Sequence, residues 1–409
     1  MSYSVPDSRR AAKSLDEHDI LRHAREAFDI EEGVIYLVGH SLGPATHNAL
    51  DALSQAGQSD WRTGLIRSWN EAGWFDLARE TGLRLGRLIG AEAGEVIVAD
   101  SVSTNLFKLA SATLPLARAK VLIVEEDEFP TDQYIIEALS RVSATEFRRA
   151  AAGQGLDALA ETGGVLVKSL VNYRSAEIED MARAEQRATD AGGVIVWDLS
   201  HATGVVDVDV HQAGAKLATG CTYKYLNGGP GAPAFVYARA DIASALQTPL
   251  PGWMGHARPF AFEPEYAPVD GIGRFANGTP PILSLAALSG AIEAFEGADM
   301  ELVQAKARTL GDLVVKRAQA MGCEVVSPLD STRRGGHVSF RHPDGYPIVQ
   351  ALIARNILAD FRAPDTIRFG VSPLYLRFCD VWDAMDALED ILMTKSWDQP
   401  RFHAKAKVT

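Results

Sequence analysis

A carboxylate, an imidazole and a lysine stand close together in the middle of this chain. The apolar run Val194-Ile195-Val196-Trp197 ends in Asp198, and His201 follows three residues later. Lys224 comes 26 positions after Asp198, inside Thr222-Tyr223-Lys224-Tyr225-Leu226-Asn227-Gly228-Gly229-Pro230-Gly231. A lysine amine can hold an aldehyde as a Schiff base. A carboxylate can keep a heteroaromatic nitrogen protonated, so that the ring accepts electrons. Backbone amides and hydroxyls at a helix start can hold a phosphate, because the helix dipole favours an anion there. Together these are the needs of pyridoxal phosphate. Asp198 suits its ring nitrogen. Val102, Ser103 and Thr104 sit where a strand turns into a helix and suit its phosphate. Phe129 opens the loop after the next strand and suits stacking on its ring. Taken singly, each group has an ordinary explanation as a cap, a turn residue or packing. Their order at successive strand ends is what points to the cofactor.

The elements that must position these groups alternate regularly. A helix at 76–90 leads to a strand at 95–99, and Ser101 to Asn105 open the next helix. A strand at 120–125 precedes Phe129-Pro130-Thr131-Asp132 and another helix. Strands follow near 165–171 and 194–197, with a helix at 178–190 between them, then near 216–220 and 234–237. Apolar strands alternating with amphipathic helices predict an α/β fold with a mainly parallel, doubly wound sheet. Its right-handed crossovers gather the loops at the strand C-termini, where ligands bind. At the front, Ile20, Leu21, Ala24 and Phe28 form a helical stripe with Ser14 as its cap. A strand at Val34–Val38 then meets a glycine-bounded turn. After about residue 282 the texture changes to long helices at 282–297 and 300–320. Short strands follow near 323–327, 336–341 and 366–370, then a helix at 380–394. This predicts an N-terminal segment (1–45) packing with the small domain, a large domain (46–285) and a smaller C-terminal α+β domain (286–409).

Composition narrows the classes. The chain has 409 residues, 47% hydrophobic and 23% charged, with a formal net charge of −13. That is ordinary globular composition, and the acidic balance argues against nucleic-acid or anionic-membrane partners. Cys221, Cys323 and Cys379 show neither metal-ligand nor disulfide spacing, so no metal is expected and a reducing cytoplasm is. The N-terminus lacks a signal-peptide core, and no run of about 18 apolar residues predicts a membrane span.

The chain resembles kynureninases, above all bacterial ones, along nearly its whole length. The resemblance is carried by Leu65-Ile66-Arg67-Ser68-Trp69-Asn70, by Phe129-Pro130-Thr131-Asp132 and by Trp197-Asp198-Leu199-Ser200-His201. It is carried further by the lysine segment from Gly220 to Gly231, by Gly252-Trp253-Met254-Gly255-His256 and by Pro373-Leu374-Tyr375. The family has the aspartate-aminotransferase fold (fold type I). The resemblance implies hydrolysis of L-kynurenine to anthranilate and L-alanine, in tryptophan catabolism. It implies that Lys224 holds pyridoxal phosphate and moves the α-proton, and that Asp198 pairs with the ring nitrogen. Val102 and Ser103 would hold the phosphate, Phe129 would stack, and Thr131, Asp132, Ser169 and His201 would complete the shell. Tyr223 would touch the phosphate and relay a proton, with His201 as the other acid–base candidate. Trp253 and Thr279 would reach the phosphate across a homodimer interface. Arg368 would clamp the substrate α-carboxylate.

The resemblance also speaks to the substrate. Trp69 would contact its aromatic ring. Gly278 and Thr279 stand where animal relatives that prefer 3-hydroxykynurenine carry bulkier polar residues, so L-kynurenine is the expected preference. Two departures bear on this. Val38-Gly39-His40 replaces the common Asp-Gly-Asn, which puts an imidazole near the expected substrate mouth. After Asn172-Tyr173, Arg174-Ser175-Ala176 replaces Lys-Thr-Gly. The alternatives are another lyase of the same fold, such as a cysteine desulfurase or selenocysteine lyase, and a non-catalytic relative. The former needs a cysteine on a mobile, electropositive loop. A nucleotide-binding enzyme is disfavoured, because Gly228-Gly229-Pro230-Gly231 precedes a strand and not a helix.

Overall fold

Short apolar runs bounded by glycine or polar turns become strands in the computed structural model, which describes residues 3–405. Residues 1–2 and 406–409, at the ends of the two terminal segments, lie outside the described residues. Strand β1 (Ile35–Tyr36) stands apart from the main sheet. Strands β2 (Val96–Val98), β3 (Val121–Glu125), β4 (Glu146–Ala150) and β5 (Val165–Ser169) belong to it. So do β6 (Val194–Asp198), β7 (Leu217–Gly220) and β8 (Phe235–Ala238). The order is β2-β8-β7-β6-β5-β3-β4. Neighbours from β4 to β7 are parallel, and only β8 runs antiparallel to both of its neighbours. Strands β3 and β6 are buried along their full length, as expected for a sheet covered on both faces. The register sets Ser169 beside Asp198, and Asp198 beside Thr219. Parallel strands therefore deliver their last residues to one edge.

The sequence expectation of a mainly parallel doubly wound sheet holds. It missed β4, whose Glu146, Arg148 and Arg149 hide the apolar alternation because this strand lies at the sheet edge. At the front, Ser14 caps nothing. The α-helix is Arg9–His18, capped by Ser8, and a 3₁₀ helix Ile20–Ala27 begins afresh at Asp19, whose carboxylate takes the Leu21 amide. The apolar stripe from Ile20 to Phe28 thus belongs to a tighter helix than its spacing predicts.

The C-terminal strands are β9 (Glu324–Val325), β10 (His337–Arg341), β11 (Ile357–Leu358), β12 (Asp360–Arg362) and β13 (Thr366–Gly370). Strands β12-β13-β10-β9 form an antiparallel sheet, while β11 pairs in parallel with β1. Asp360, Arg368 and Ser339 stand opposite one another, as do Gly370 and His337. Residues two apart share a face, so all five look one way, toward the loop after β5. That loop closes the gap. The Arg368 guanidinium donates to the Tyr173 carbonyl at 2.6 Å. The Ser339 hydroxyl donates to the Arg174 carbonyl, and the Gly335 amide to the Ala176 carbonyl at 2.8 Å. Ala176 adopts φ +65°, a left-handed conformation that costs an alanine ~1 kcal/mol. The departure from Lys-Thr-Gly places an alanine, not a glycine, in this left-handed turn.

His40 packs onto the same face. Gly370 has no room for a Cβ because the His40 ring occupies that space. The ring stacks on His337 at 5.2 Å with 17° between planes. Both rings are fully buried, and none of their nitrogens has a well-aligned hydrogen bond, although His40 Nε2 lies 3.3 Å from Asp360 Oδ2. Burial, helped by the nearby Arg368 charge and opposed by Asp360, lowers the His40 pKa to about 4.

A depressed histidine pKa has a definite sign. The unfolded chain takes up the proton first, so the stabilisation is whole above about pH 6.5 and is lost as pH falls toward 4. We expect a His40→Asn protein to lose less stability over that window than the parent, by up to ~3 kcal/mol. Denaturant unfolding at a series of pH values measures this, and parallel pH profiles would contradict it.

Candidate active site

Asp198, the last residue of β6, is buried, and its Oδ1 accepts from the Ser200 amide at 2.8 Å and the Ser200 hydroxyl at 2.5 Å. Burial raises its pKa, against the pull of Lys224 and Ser200. Asp132 lies in the first turn of helix Pro130–Ser143, after β3. It is buried, and its Oδ2 has no hydrogen-bond partner. Burial, then the nearby Asp198 and Glu128, hold its pKa well above the usual carboxylate range.

Lys224 faces both carboxylates from the turn after β7. The Asn227 amide donates to the Lys224 carbonyl at 2.9 Å, and the Gly228 amide to the Thr222 carbonyl at 2.9 Å. Asn227 takes the left-handed conformation at φ +58° that this turn requires. Gly43 donates to the Tyr223 carbonyl at 2.8 Å and has no space for a Cβ against the Lys224 carbonyl. The glycine turn near residue 43 thus seats the lysine turn. Lys224 Nζ lies 3.4 Å from both ring nitrogens of His201, committed to neither, and 5.8 Å from the centre of the Tyr223 ring. Burial drives the His201 pKa well down, and Lys224 adds to it, so the imidazole is neutral. Burial raises the Tyr223 pKa, so the phenol keeps its proton.

These groups line a cavity of about 310 Å³ together with Val102, Ser103, Phe129, Thr131 and Ser169. Val102 and Ser103 start helix Val102–Thr113, and the Ser101 hydroxyl caps it at the Thr104 amide, 3.3 Å away. Helix starts leave their first amides without partners inside the helix. Phe129 meets the Tyr173 ring edge-on at 5.3 Å. Asp100, Ser200, Tyr173 and Cys221, which no sequence signal marked as site residues, also line the cavity. Ser200 stood within the Asp198–His201 segment. Tyr173 comes from the loop that docks the small sheet, which no local pattern shows. Glu128 was missed too. It accepts from the Ser169 amide at 3.0 Å and the Ser169 hydroxyl at 2.5 Å, and burial pushes its pKa up to about 7.

Other expected site residues lie outside this cavity. Thr279 and Gly278 line a larger, apolar cavity of about 640 Å³, which meets the first at Asp100 and Gly231. The larger space holds none of the groups around Lys224. Trp69 and Trp253 contact one another at 6.3 Å between ring centres, in a cluster with Trp74 and Phe260. Arg368 is buried on β13, with Nε 3.0 Å from Asp360 Oδ2 and Nη2 on the same oxygen. His40 was expected near a substrate mouth. The structure instead buries it fully behind Asp360, lining neither cavity, because the loop from Val38 to Gly43 folds under the small sheet.

The residues present fit pyridoxal phosphate. Two buried carboxylates, one without a hydrogen bond, call for a positive group in the cavity, and a protonated ring nitrogen is one. A helix start stands beside a lysine, as an anion-bearing aldehyde requires. Elsewhere, Glu92, Glu95 and His211 come close enough to share a cation, but Glu95 already accepts from the Glu92 and Ala240 amides. None of the three cysteines is set up as a nucleophile. Cys221 lines the cavity, yet burial raises its pKa and disfavours the thiolate.

Comparison with known proteins agrees. Residues 303–388 match the family model of the kynureninase C-terminal domain. The chain is 42% identical to the kynureninase of Pseudomonas fluorescens over 98% of its length and 100% of that protein. The kynureninase of Burkholderia pseudomallei gives the same identity and coverage. A cysteine desulfurase from Thermococcus onnurineus superposes with a TM-score of 0.78, covering 91% of this chain and 98% of that one, at 16% identity. A C-DES mutant with glycine covalently linked to its PLP cofactor also superposes at 0.78, covering 90% and 99%, at 16% identity. At such identities the structures share the fold, while the 42% matches carry the chemistry. The chain belongs to the kynureninase family, enzymes that use pyridoxal phosphate to hydrolyse a carbon–carbon bond.

Proposed function

We propose that the chain hydrolyses L-kynurenine between Cβ and Cγ, giving anthranilate and L-alanine, with L-kynurenine preferred over its 3-hydroxy form. The observation that carries this reading is one half-buried lysine facing two buried carboxylates and a neutral imidazole in a single cavity. When bound, pyridoxal phosphate supplies an electron sink for the charge left by loss of the substrate α-proton.

The residues divide the remaining work. Lys224 holds the cofactor and moves the α-proton. Asp198, with Asp132 beside it, would hold the protonated ring nitrogen, and the raised pKa values of both suit a shared proton. Val102 and Ser103 hold the phosphate. Phe129 would stack on the ring, and Thr131 and Ser169 would complete the cofactor shell. Hydrolysis needs a base for water and an acid for the departing carbon. His201 is neutral, so it can accept a proton. Tyr223 keeps its proton, so it can donate one. Arg368 has five N–H donors. Three are engaged by Asp360 and the Tyr173 carbonyl, which leaves two for the substrate α-carboxylate.

The substrate ring is read by Trp69. Gly278 lines an apolar cavity with open space where a Cβ would project, so nothing polar from that position meets a ring hydroxyl. Trp61, Leu65, Ile66 and Phe260 are exposed apolar side chains. Exposed apolar surface of this kind marks an interface, and we assign it to a homodimer in which Trp253 and Thr279 reach the partner's cofactor. The natural setting is tryptophan breakdown. A cytoplasmic location suits the three free thiols.

Purified protein should convert L-kynurenine to anthranilate and alanine in equal amounts, and Lys224→Ala should abolish this. Chromatographic detection of both products decides the matter. The ratio of kcat/KM values should favour L-kynurenine over 3-hydroxykynurenine by at least ~10-fold, the scale of one misplaced polar group. Equal values would overturn the assigned preference. Ile66→Asp should shift the native mass toward a monomer by light scattering, whereas an unchanged mass would place the interface elsewhere.

A further inference from the structure

We propose that Lys108 is a positioning residue that fixes the phosphate end of the cofactor cavity by tying the loop at Asp100 to the segment Phe275–Thr279. The proposal rests on the assignment of Val102 and Ser103 to the phosphate.

Lys108 lies in the second turn of helix Val102–Thr113, outside the reaction assigned above, and its side chain is fully buried. A buried ammonium is costly unless paired and hydrogen-bonded. A methionine of similar reach would fill the same space without that cost. The ammonium has two partners. It lies 2.5 Å from Asp100 Oδ2 and 2.6 Å from the Phe275 carbonyl. Burial lowers its pKa and Asp100 opposes the shift.

Both partners sit at decisive points. Asp100 has φ +54°, a left-handed conformation that a non-glycine residue keeps only when its surroundings impose it. Here Lys108 takes its carboxylate, and the Ala234 amide donates to its carbonyl at 2.8 Å. This turn aims the start of the helix, Val102 and Ser103, into the small cavity. Phe275 ends a buried 3₁₀ turn, Gly271–Phe275. Two residues on, the Asn277 carbonyl packs against Gly252 so closely that no Cβ fits. The Met254 amide donates to that carbonyl at 3.3 Å. Movement of Phe275 would therefore carry Trp253 and Thr279 with it. One ammonium bolts the loop that holds the phosphate to the segment that flanks it.

The test compares pyridoxal phosphate with pyridoxal, which lacks the phosphate, by titrating each into cofactor-free protein and following tryptophan fluorescence. Lys108→Met should weaken pyridoxal phosphate about tenfold, the scale of one hydrogen bond to a charged group, and leave pyridoxal unchanged. Asp100→Asn combined with Lys108→Met removes both charges. It should show the same loss, because the link to Phe275 stays broken, and it carries the comparison if Lys108→Met alone does not fold. Three results would overturn the proposal: unchanged affinity for pyridoxal phosphate in the variants, equal loss for both ligands, or full recovery in the double variant. Ser103→Ala separates the proposal from the assignment beneath it. If Ser103→Ala keeps the phosphate-dependent preference while Lys108→Met loses it, the Ser103 assignment fails and the Lys108 role stands. The reverse pattern removes the Lys108 role.

Discussion

A half-buried lysine set near two buried carboxylates is the constraint on which this structure turns. Burial raises the proton affinity of Asp132 and Asp198, and Lys224 is the cation that opposes it. Such a group is stable only if the chain encloses it from several sides. The sheet does so by ending β5 and β6 side by side, with the helix after β3 beside them. The lysine turn does so through Asn227 and Gly228, and the loop near Gly43 presses on it from the N-terminal segment. The same low dielectric that makes the cluster costly makes it useful. It leaves His201 neutral and Tyr223 protonated near one amine, an acid and a base side by side.

A buried ion pair, Arg368 with Asp360, does for the small sheet what the cluster around Lys224 does for the large one. The carboxylate fixes the guanidinium plane, and the Tyr173 carbonyl fixes its reach across the gap. Imidazoles run from Lys224 to the Arg368–Asp360 pair. His201 lies 5.8 Å from His337 between ring centres, and His337 stacks on His40, which reaches Asp360. Each ring is kept neutral by burial, so the column adds no charge between the cationic groups at its ends.

Much of the large domain was legible in the sequence, because a parallel sheet buried on both faces leaves continuous apolar runs such as 121–125 and 194–198. The groups at strand ends were legible for the same reason. Asp198, His201, Phe129 and Ser103 each lie within a few residues of the end of an apolar run. The edge strand 146–150 was not, since half of its side chains face water. Glu128 was not, because the last of four consecutive acids looks like any loop carboxylate until Ser169 comes opposite it from another strand. Nor was Lys108, whose burial depends on Asp100 and on a carbonyl 167 positions away.

By itself the sequence determined the cofactor, the fold class and the family, since these rest on local runs and on motif order. The tertiary structure decided the rest. It placed Asp132 beside Asp198, gave Arg368 its Asp360 partner, and buried His40 behind them when its loop suggested an open mouth. The physical reason is that residue type and spacing fix what a side chain can do, while burial and partner charges fix its protonation state. Those are set by groups that meet only when distant segments pack.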